Sequence, residues 1–146
     1  KIKELFEVNF FSPIIITQKL VKNKKINKQA SIVFISSVSG VYCSAVASSM
    51  YSSTKGAING IIKGMALDLA PQGIRVNSVC PAMIDTNILS DGRITEEQLK
   101  EDVKKYPLKR YGKPEEVAYA VIYFLSDASV WVTGTNLLID GGYTLL

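Results

Sequence analysis

The chain has 146 residues, 47% of them hydrophobic, and a formal net charge of +4. That length and composition support one domain with a buried core and exclude a disordered chain. With no His and only two cysteines, Cys43 and Cys80, the sequence excludes a Ser-His or Cys-His catalytic pair, a disulfide framework and most metal sites, so no metal is expected.

In chain order, residues 2–21 read as a helix, with Leu5, Phe6, Val8, Asn9 and Phe10 ahead of Pro13. A helical proline cannot bond the carbonyl four residues back, here that of Asn9, so a kink is predicted. Lys19, Lys22, Lys24, Lys25 and Lys28 follow. No aromatic interleaving or nucleic-acid motif accompanies them, so they read as a solvated helix end and loop and not as a patch for a nucleic acid or an acidic carrier. Residues 31–36 are a short apolar run, as expected of a parallel strand covered on both faces. Residues 51–69 are the next helix, with Ile58, Ile61, Ile62, Met65, Ala66 and Leu69 on its core face. Gly56, Gly60 and Gly64 form a small-residue stripe that suggests close helix approach. Pro71-Gln72-Gly73 ends this helix, and residues 74–79 form the next strand.

Residues 87–111 are a long connection, the kind of segment that lies over a site as a lid and sets specificity. Within it, Thr95-Glu96-Glu97-Gln98 matches a capping box and opens a short helix that Pro107 closes. Pro114-Glu115-Glu116 starts another helix, with Val117, Ala118, Val121, Ile122 and Leu125 as its core face. Residues 136–139 are the last strand. No apolar run reaches the ~18 residues that span a membrane, and a cytoplasmic location is the default. The alternation of helix and strand predicts an α/β fold with a parallel sheet and right-handed crossovers. Ligands of such sheets bind beyond the C-terminal strand ends. There Ser37, residues 81–86 and the start of the helix from Tyr51 converge.

Tyr51 and Lys55 carry the chemistry. Four residues apart on a helix, they share one face. A phenol is a poor proton donor at neutral pH, and an adjacent ammonium favours its anion. A pair of this kind can protonate a carbonyl oxygen or take a proton from an alcohol.

This pair stands among Ile32-Val33-Phe34-Ile35-Ser36-Ser37, Gly73-Ile74-Arg75-Val76-Asn77-Ser78-Val79-Cys80-Pro81 and Thr133-Gly134-Thr135-Asn136-Leu137-Leu138-Ile139-Asp140-Gly141-Gly142. From Asn9 to Gly142 these segments resemble the short-chain dehydrogenase/reductase family. The resemblance implies a Rossmann-type doubly wound parallel sheet. It implies an oxidoreductase that uses NAD or NADP to interconvert a carbonyl and a secondary alcohol on a small molecule. The substrate could be carrier-bound, as in 3-oxoacyl carrier-protein reductases. The alternatives are a sugar, polyol or steroid dehydrogenase, or a catalytically silent cofactor-binding or assembly subunit. Asn9, Ser37, Tyr51 and Lys55 match the family's catalytic residues, although Ser36 and Ser39 compete with Ser37. The spacing from Ser37 to Tyr51 is one residue longer than is commonest. Tyr51, Lys55, Pro81, Ile84 and Thr86 match its cofactor contacts, Ile84 through its backbone and Thr86 through its hydroxyl. Ala82 replaces a family Gly, which brings strain if its φ is positive. A homodimer or homotetramer through the Asn9 and Gly56/Gly60/Gly64 helices is implied. The family's Gly-rich phosphate-binding turn has no counterpart here. Residues 1–146 therefore read as the C-terminal half of a single NAD(P)-binding domain, its Gly-rich N-terminal half absent, and this piece alone is expected to be inactive.

Overall fold

The computed structural model describes residues 1–89 and 94–145. Three parallel strands, β1 (Ser31–Ile35), β2 (Arg75–Pro81) and β3 (Asn136–Ile139), lie in the order β1-β2-β3. Ser31 pairs with Arg75 and Ile35 with Val79, while Ser78 pairs with Asn136 and Pro81 with Ile139. Parallel neighbours cannot be joined by a hairpin, so each connection carries a helix. α3 (Ser49–Leu69) joins β1 to β2, and α4 (Glu96–Val103) with α5 (Pro114–Leu125) lies between β2 and β3. The α/β class expected from the alternation is therefore the observed one. The 87–111 connection, read as a lid, is described apart from residues 90–93, which lie outside the described residues.

β2 is the central strand, and it is buried from Val76 to Pro81. On one face, Phe34 and Val76 form a cluster with Ile58, Ile62, Ala66 and Leu69 of α3 and with Ile74. Phe10, Ile14 and Val21 pack against the same cluster. Each fully buried side chain of this kind contributes about 1.5–3 kcal/mol before its lost rotamer freedom is counted. On the other face, the Asn77 amide donates to the Val132 carbonyl at 2.9 Å and accepts from the Thr135 N–H at 3.1 Å. That pair of bonds fixes the segment leading into β3.

The N-terminal helix departs from the predicted single kinked helix. α1 (Ile2–Phe6) passes into a π-helical turn (Glu7–Phe11) and resumes as α2 (Ser12–Lys22). Pro13 has no N–H for the Asn9 carbonyl, and the ladder slips by one residue, with Ser12 N–H donating to the Glu7 carbonyl. α3 begins at Ser49 rather than Tyr51, and β2 continues to Pro81. Gly73, at φ 71, ends the chain's turn out of α3 and lets Ile74 N–H reach the Leu69 carbonyl.

One expectation about a face is corrected. In α5, Ala118, Ile122 and Leu125 are exposed, whereas Phe124 is buried and Val117, Ala120 and Val121 are half-buried. Residues 117–125 are apolar throughout, so periodicity could not select a face. The selection comes from the Phe124 carbonyl, which accepts from Ser31 Oγ at 2.7 Å and from Arg75 Nη2 at 2.9 Å. Of the glycine stripe, Gly56 meets the Gly40 loop of this chain, and a Cβ at Gly60 or Gly64 would find nothing of this chain within 4 Å.

The capping box at Thr95 is present in both directions, Thr95 N–H to Gln98 Oε1 at 2.9 Å and Gln98 N–H to Thr95 Oγ1 at 3.2 Å. α4 then ends at Val103, before Pro107. The lysine cluster lies where α2 ends and the chain runs to the start of β1, at the N-terminal edge of the sheet. Among the described residues, no helix is long and apolar enough to cross a membrane. Also among them, β1 pairs with β2 alone, and Ile35 is half exposed on the open edge.

Arg75 ties β2 to the end of α5. Its Nη1 donates to Ser129 Oγ at 3.0 Å and its Nη2 to the Phe124 carbonyl at 2.9 Å, so it serves a helix end whose last carbonyls lack helical partners. Arg75→Met is expected to lower unfolding free energy by about 2 kcal/mol, the range of hydrogen bonds to a charged group. Arg75→Lys should recover only part of this, since an ammonium lacks the planar fork. Urea unfolding of both variants tests the point, and a Met variant as stable as the parent would dismiss the fork.

Candidate active site

β1 and β2 end side by side, and α3 starts above that edge. Two bonds carry the pairing past the end of β1, Ser36 N–H to the Val79 carbonyl at 2.8 Å and Val38 N–H to the Pro81 carbonyl at 3.1 Å. The two serines then part. Ser36 Oγ donates to the Lys55 carbonyl at 3.2 Å and so is committed to α3. Ser37 Oγ donates to the Pro81 carbonyl at 3.4 Å and accepts from Ser39 N–H at 3.2 Å. The 3.4 Å bond is long, and a better acceptor could displace it.

The chain leaves β1 through Gly40, whose φ is 96. A Cβ there would stand 2.2 Å from the Ser52 carbonyl oxygen and 2.6 Å from the Gly56 nitrogen. Only a glycine permits this approach, which seats the loop on the first turns of α3. Ser44 Oγ and Ser52 Oγ, 2.8 Å apart, fasten the loop further along.

Tyr51 lies in the first turn of α3, partly exposed, and Lys55 lies one turn on. The Lys55 Nζ stands 5.8 Å from the Tyr51 ring centre and donates to the Ile35 carbonyl at 2.9 Å. An ammonium has three donors, and this bond uses one of them. Asn9, on the π-helical turn, donates from Nδ2 to Thr54 Oγ1 at 3.1 Å. One of its two side-chain N–H groups is therefore given to α3.

The 81–86 segment leaves β2 beside the same edge. Ala82 N–H donates to the Ile139 carbonyl at 2.9 Å, and Ala82 is not among the residues with positive φ, so Ala in place of Gly brings no backbone strain. Ile84 forms a parallel bridge with Gly112, made by Gly112 N–H to the Met83 carbonyl at 3.1 Å and Asp85 N–H to the Gly112 carbonyl at 2.8 Å. Because a parallel bridge uses the groups of the flanking residues, Ile84's own N–H and carbonyl point to the opposite side. Thr86 is exposed. A Cβ on Gly112 would meet Ile84 Cδ1 at 2.7 Å, so a larger residue there would make the end of the Ile84 side chain shift.

Ser37, Tyr51, Lys55 and Pro81 thus gather at the C-terminal ends of β1 and β2, and Asn9 is tied to the same helix turn through Thr54. Ile84 and Thr86 lie further along the segment leaving β2. The donor set suits a ribose and a carboxamide: two remaining ammonium donors on Lys55, backbone groups of Ile84 and a threonine hydroxyl. Sequence reasoning missed Thr54 and Gly112. Thr54 sits inside the Tyr51–Lys55 interval, but its partner is 45 positions away. Gly112 carried no local signal beyond being a glycine ahead of a helix. Among the described residues, no group of three or more His, Cys, Asp or Glu side chains could hold a metal ion.

Residues 1–144 match the family described as Enoyl-(Acyl carrier protein) reductase. The chain is 35% identical over 141 residues to a 3-oxoacyl-(acyl-carrier-protein) reductase, FabG, of Thermotoga maritima, covering 97% of this chain and 56% of that protein. Its structure is similar to the crystal structure of a short chain dehydrogenase family protein from Francisella tularensis, with TM-score 0.88, 38% identity, and coverage of 99% of this chain and 62% of that one. It is also similar to an ElxO variant with NADPH bound, with TM-score 0.86, 26% identity, and coverage of 99% and 58%. The chain spans about half the length of the curated relatives it matches.

Burial pushes the Lys55 ammonium below the usual lysine value, against an upward pull from Cys80. Between the lowered and the ordinary value the unfolded chain binds more protons than the folded one, so stability contributed by this group rises with pH. The penalty on the buried charge is full at neutral pH and fades as pH climbs toward about 10.4. Lys55→Met should therefore lose stability relative to the parent as pH rises through that window. Denaturation curves of the two proteins from neutral to alkaline pH test this, and a stability difference independent of pH would refute it.

Proposed function

The chain belongs to the short-chain dehydrogenase/reductase family, and from that premise we propose that the whole protein interconverts a carbonyl and a secondary alcohol with Tyr51 as general acid and base. The placing of Lys55 carries this reading: a half-buried ammonium beside the Tyr51 ring, anchored to the end of β1. In the reducing direction Tyr51 gives its proton to the carbonyl oxygen. Lys55 stabilises the negative charge left on the phenol. Ser37, whose hydroxyl now makes one long bond to the Pro81 carbonyl, turns to hold the substrate oxygen. Asn9 supports resupply of the proton: Thr54 holds one Nδ2 N–H, and the backbone carbonyl, which Pro13 cannot bond, is a group it offers to water.

A nicotinamide, NAD or NADP, supplies the hydride when bound. Lys55 and Tyr51 would meet its ribose, and Pro81, the Ile84 backbone and the Thr86 hydroxyl its carboxamide. The name of the matching family and that of the Thermotoga maritima relative support a 3-oxoacyl group on a carrier protein as substrate, while other relatives are named as tropinone reductase homologues and a glucose 1-dehydrogenase. The lysine cluster does not serve that docking, because it lies at the far edge of the sheet.

Tyr51→Phe in the complete protein should reduce turnover by roughly 10²–10⁴-fold, the usual contribution of general acid catalysis, while thermal unfolding stays near the parent's. Normal turnover in that variant would overturn the assignment.

We also propose that the α1–α2 and α3 helices pair between subunits. Val8, Ile16 and Leu67 are exposed on them, and Gly60 and Gly64 face open space. A homodimer or homotetramer is expected by sedimentation at micromolar concentration, and a monomer would be the contrary result.

A further inference from the structure

We propose that Thr54 is a positioning residue that locks the Asn9 turn to the helix turn carrying Tyr51 and Lys55. The inference rests on the reading of Tyr51 as the proton donor. Thr54 is wholly buried, and both capacities of its hydroxyl are used. The proton goes to the Tyr51 carbonyl at 2.7 Å, and a lone pair accepts from Asn9 Nδ2 at 3.1 Å. A hydroxyl donates once and accepts twice, so neither bond weakens the other.

Both segments depend on this bridge for their shape. A π-helical turn is rare and, beside Pro13, has lost one ladder bond. Its form needs a contact from outside the helix, and the Asn9 amide supplies one. On α3, a threonine hydroxyl bonded back to a carbonyl of the preceding turn competes with the helix ladder and bends it locally. Thr54 therefore sets the pose of Tyr51 and the orientation of Asn9 together, although it touches neither substrate nor cofactor. Valine would fill the same volume with no donor or acceptor. Serine would keep both and drop only the methyl.

The test compares Thr54→Val, Thr54→Ser, Asn9→Ala, the Asn9→Ala/Thr54→Val double variant and Tyr51→Phe in the complete protein. It measures carbonyl reduction and amide hydrogen exchange across residues 7–11. Thr54→Val should lower kcat by roughly 10–100-fold, the scale of a small misplacement of a reacting group, with KM for the carbonyl substrate nearly unchanged. Thr54→Ser should restore most of that loss. The double variant should lose less than the sum of the two single losses, since both changes break the Asn9–Thr54 contact. Exchange at residues 7–11 should quicken in Thr54→Val and not in Thr54→Ser. Parental kcat and exchange in Thr54→Val, with Tyr51→Phe inactive, would overturn the role of Thr54 and leave the proposed function standing. A Thr54→Ser variant as impaired as Thr54→Val, or additive losses in the double variant, would also overturn it. An active Tyr51→Phe would remove the proposed function and this inference with it. If Thr54→Val does not fold, exchange in Asn9→Ala and Thr54→Ser decides: quickened in the first and parental in the second supports the bridge, and any other pattern overturns it.

Discussion

The backbone contact between Gly40 and Gly56 sets the geometry on which the site depends. With no Cβ on either side, the loop leaving β1 lies directly on the first turns of α3. Across this seam run the Ser36 bond to the Lys55 carbonyl, the Lys55 bond to the Ile35 carbonyl and the Ser44–Ser52 pair. A methyl at Gly40 would need a shift of backbone, not of a flexible side chain. Tyr51, Lys55 and Ser37 are brought together by that approach more than by any contact among themselves.

Beneath the seam, beside the apolar cluster of Val76 with Ile58 and Ile62, a polar patch joins Asn59 of α3 to β2. Cys80 Sγ donates to Asn59 Oδ1 of α3 at 3.4 Å, while Ser78 Oγ donates sideways to Asn136 Oδ1 of β3 at 2.6 Å. Burial pushes the Cys80 thiol up, which keeps it in the neutral form that such a layer accommodates. An apolar face tolerates sliding, whereas paired donors and acceptors fit in one register. The layer thus helps to fix the height of α3 on the sheet.

Much of this was legible in the sequence where the determining physics is local. The three strands declare themselves as short apolar runs, and Thr95 with Gln98 and Pro114 with Glu116 mark helix starts through side chains a few residues apart. Tyr51 and Lys55 could be joined because helical spacing alone places them on one face. The failures share the opposite cause. Pro13 announced a disturbance at Asn9, but whether the helix kinks or slips into a π turn depends on what packs beside it. Residues 117–125 are apolar all round, so their inward face was decided by Ser31 and Arg75, both far away in sequence. Gly60 and Gly64 looked equivalent to Gly56, yet only Gly56 has Gly40 opposite. Thr54 reads as filler between two catalytic candidates until Asn9 is brought against it.

The lysines at the end of α2 have a consequence for how molecules reach the protein. They sit at the N-terminal edge of the sheet, and the site sits at the C-terminal edge. A strand as long as β2 spans about 23 Å at ~3.3 Å per residue. The Debye length under physiological salt is about 8 Å. The field of these cations has therefore decayed through more than two screening lengths before it reaches Tyr51. An anionic molecule drawn to the lysines is drawn to the wrong end. The diffusional pull of these charges falls on the far surface.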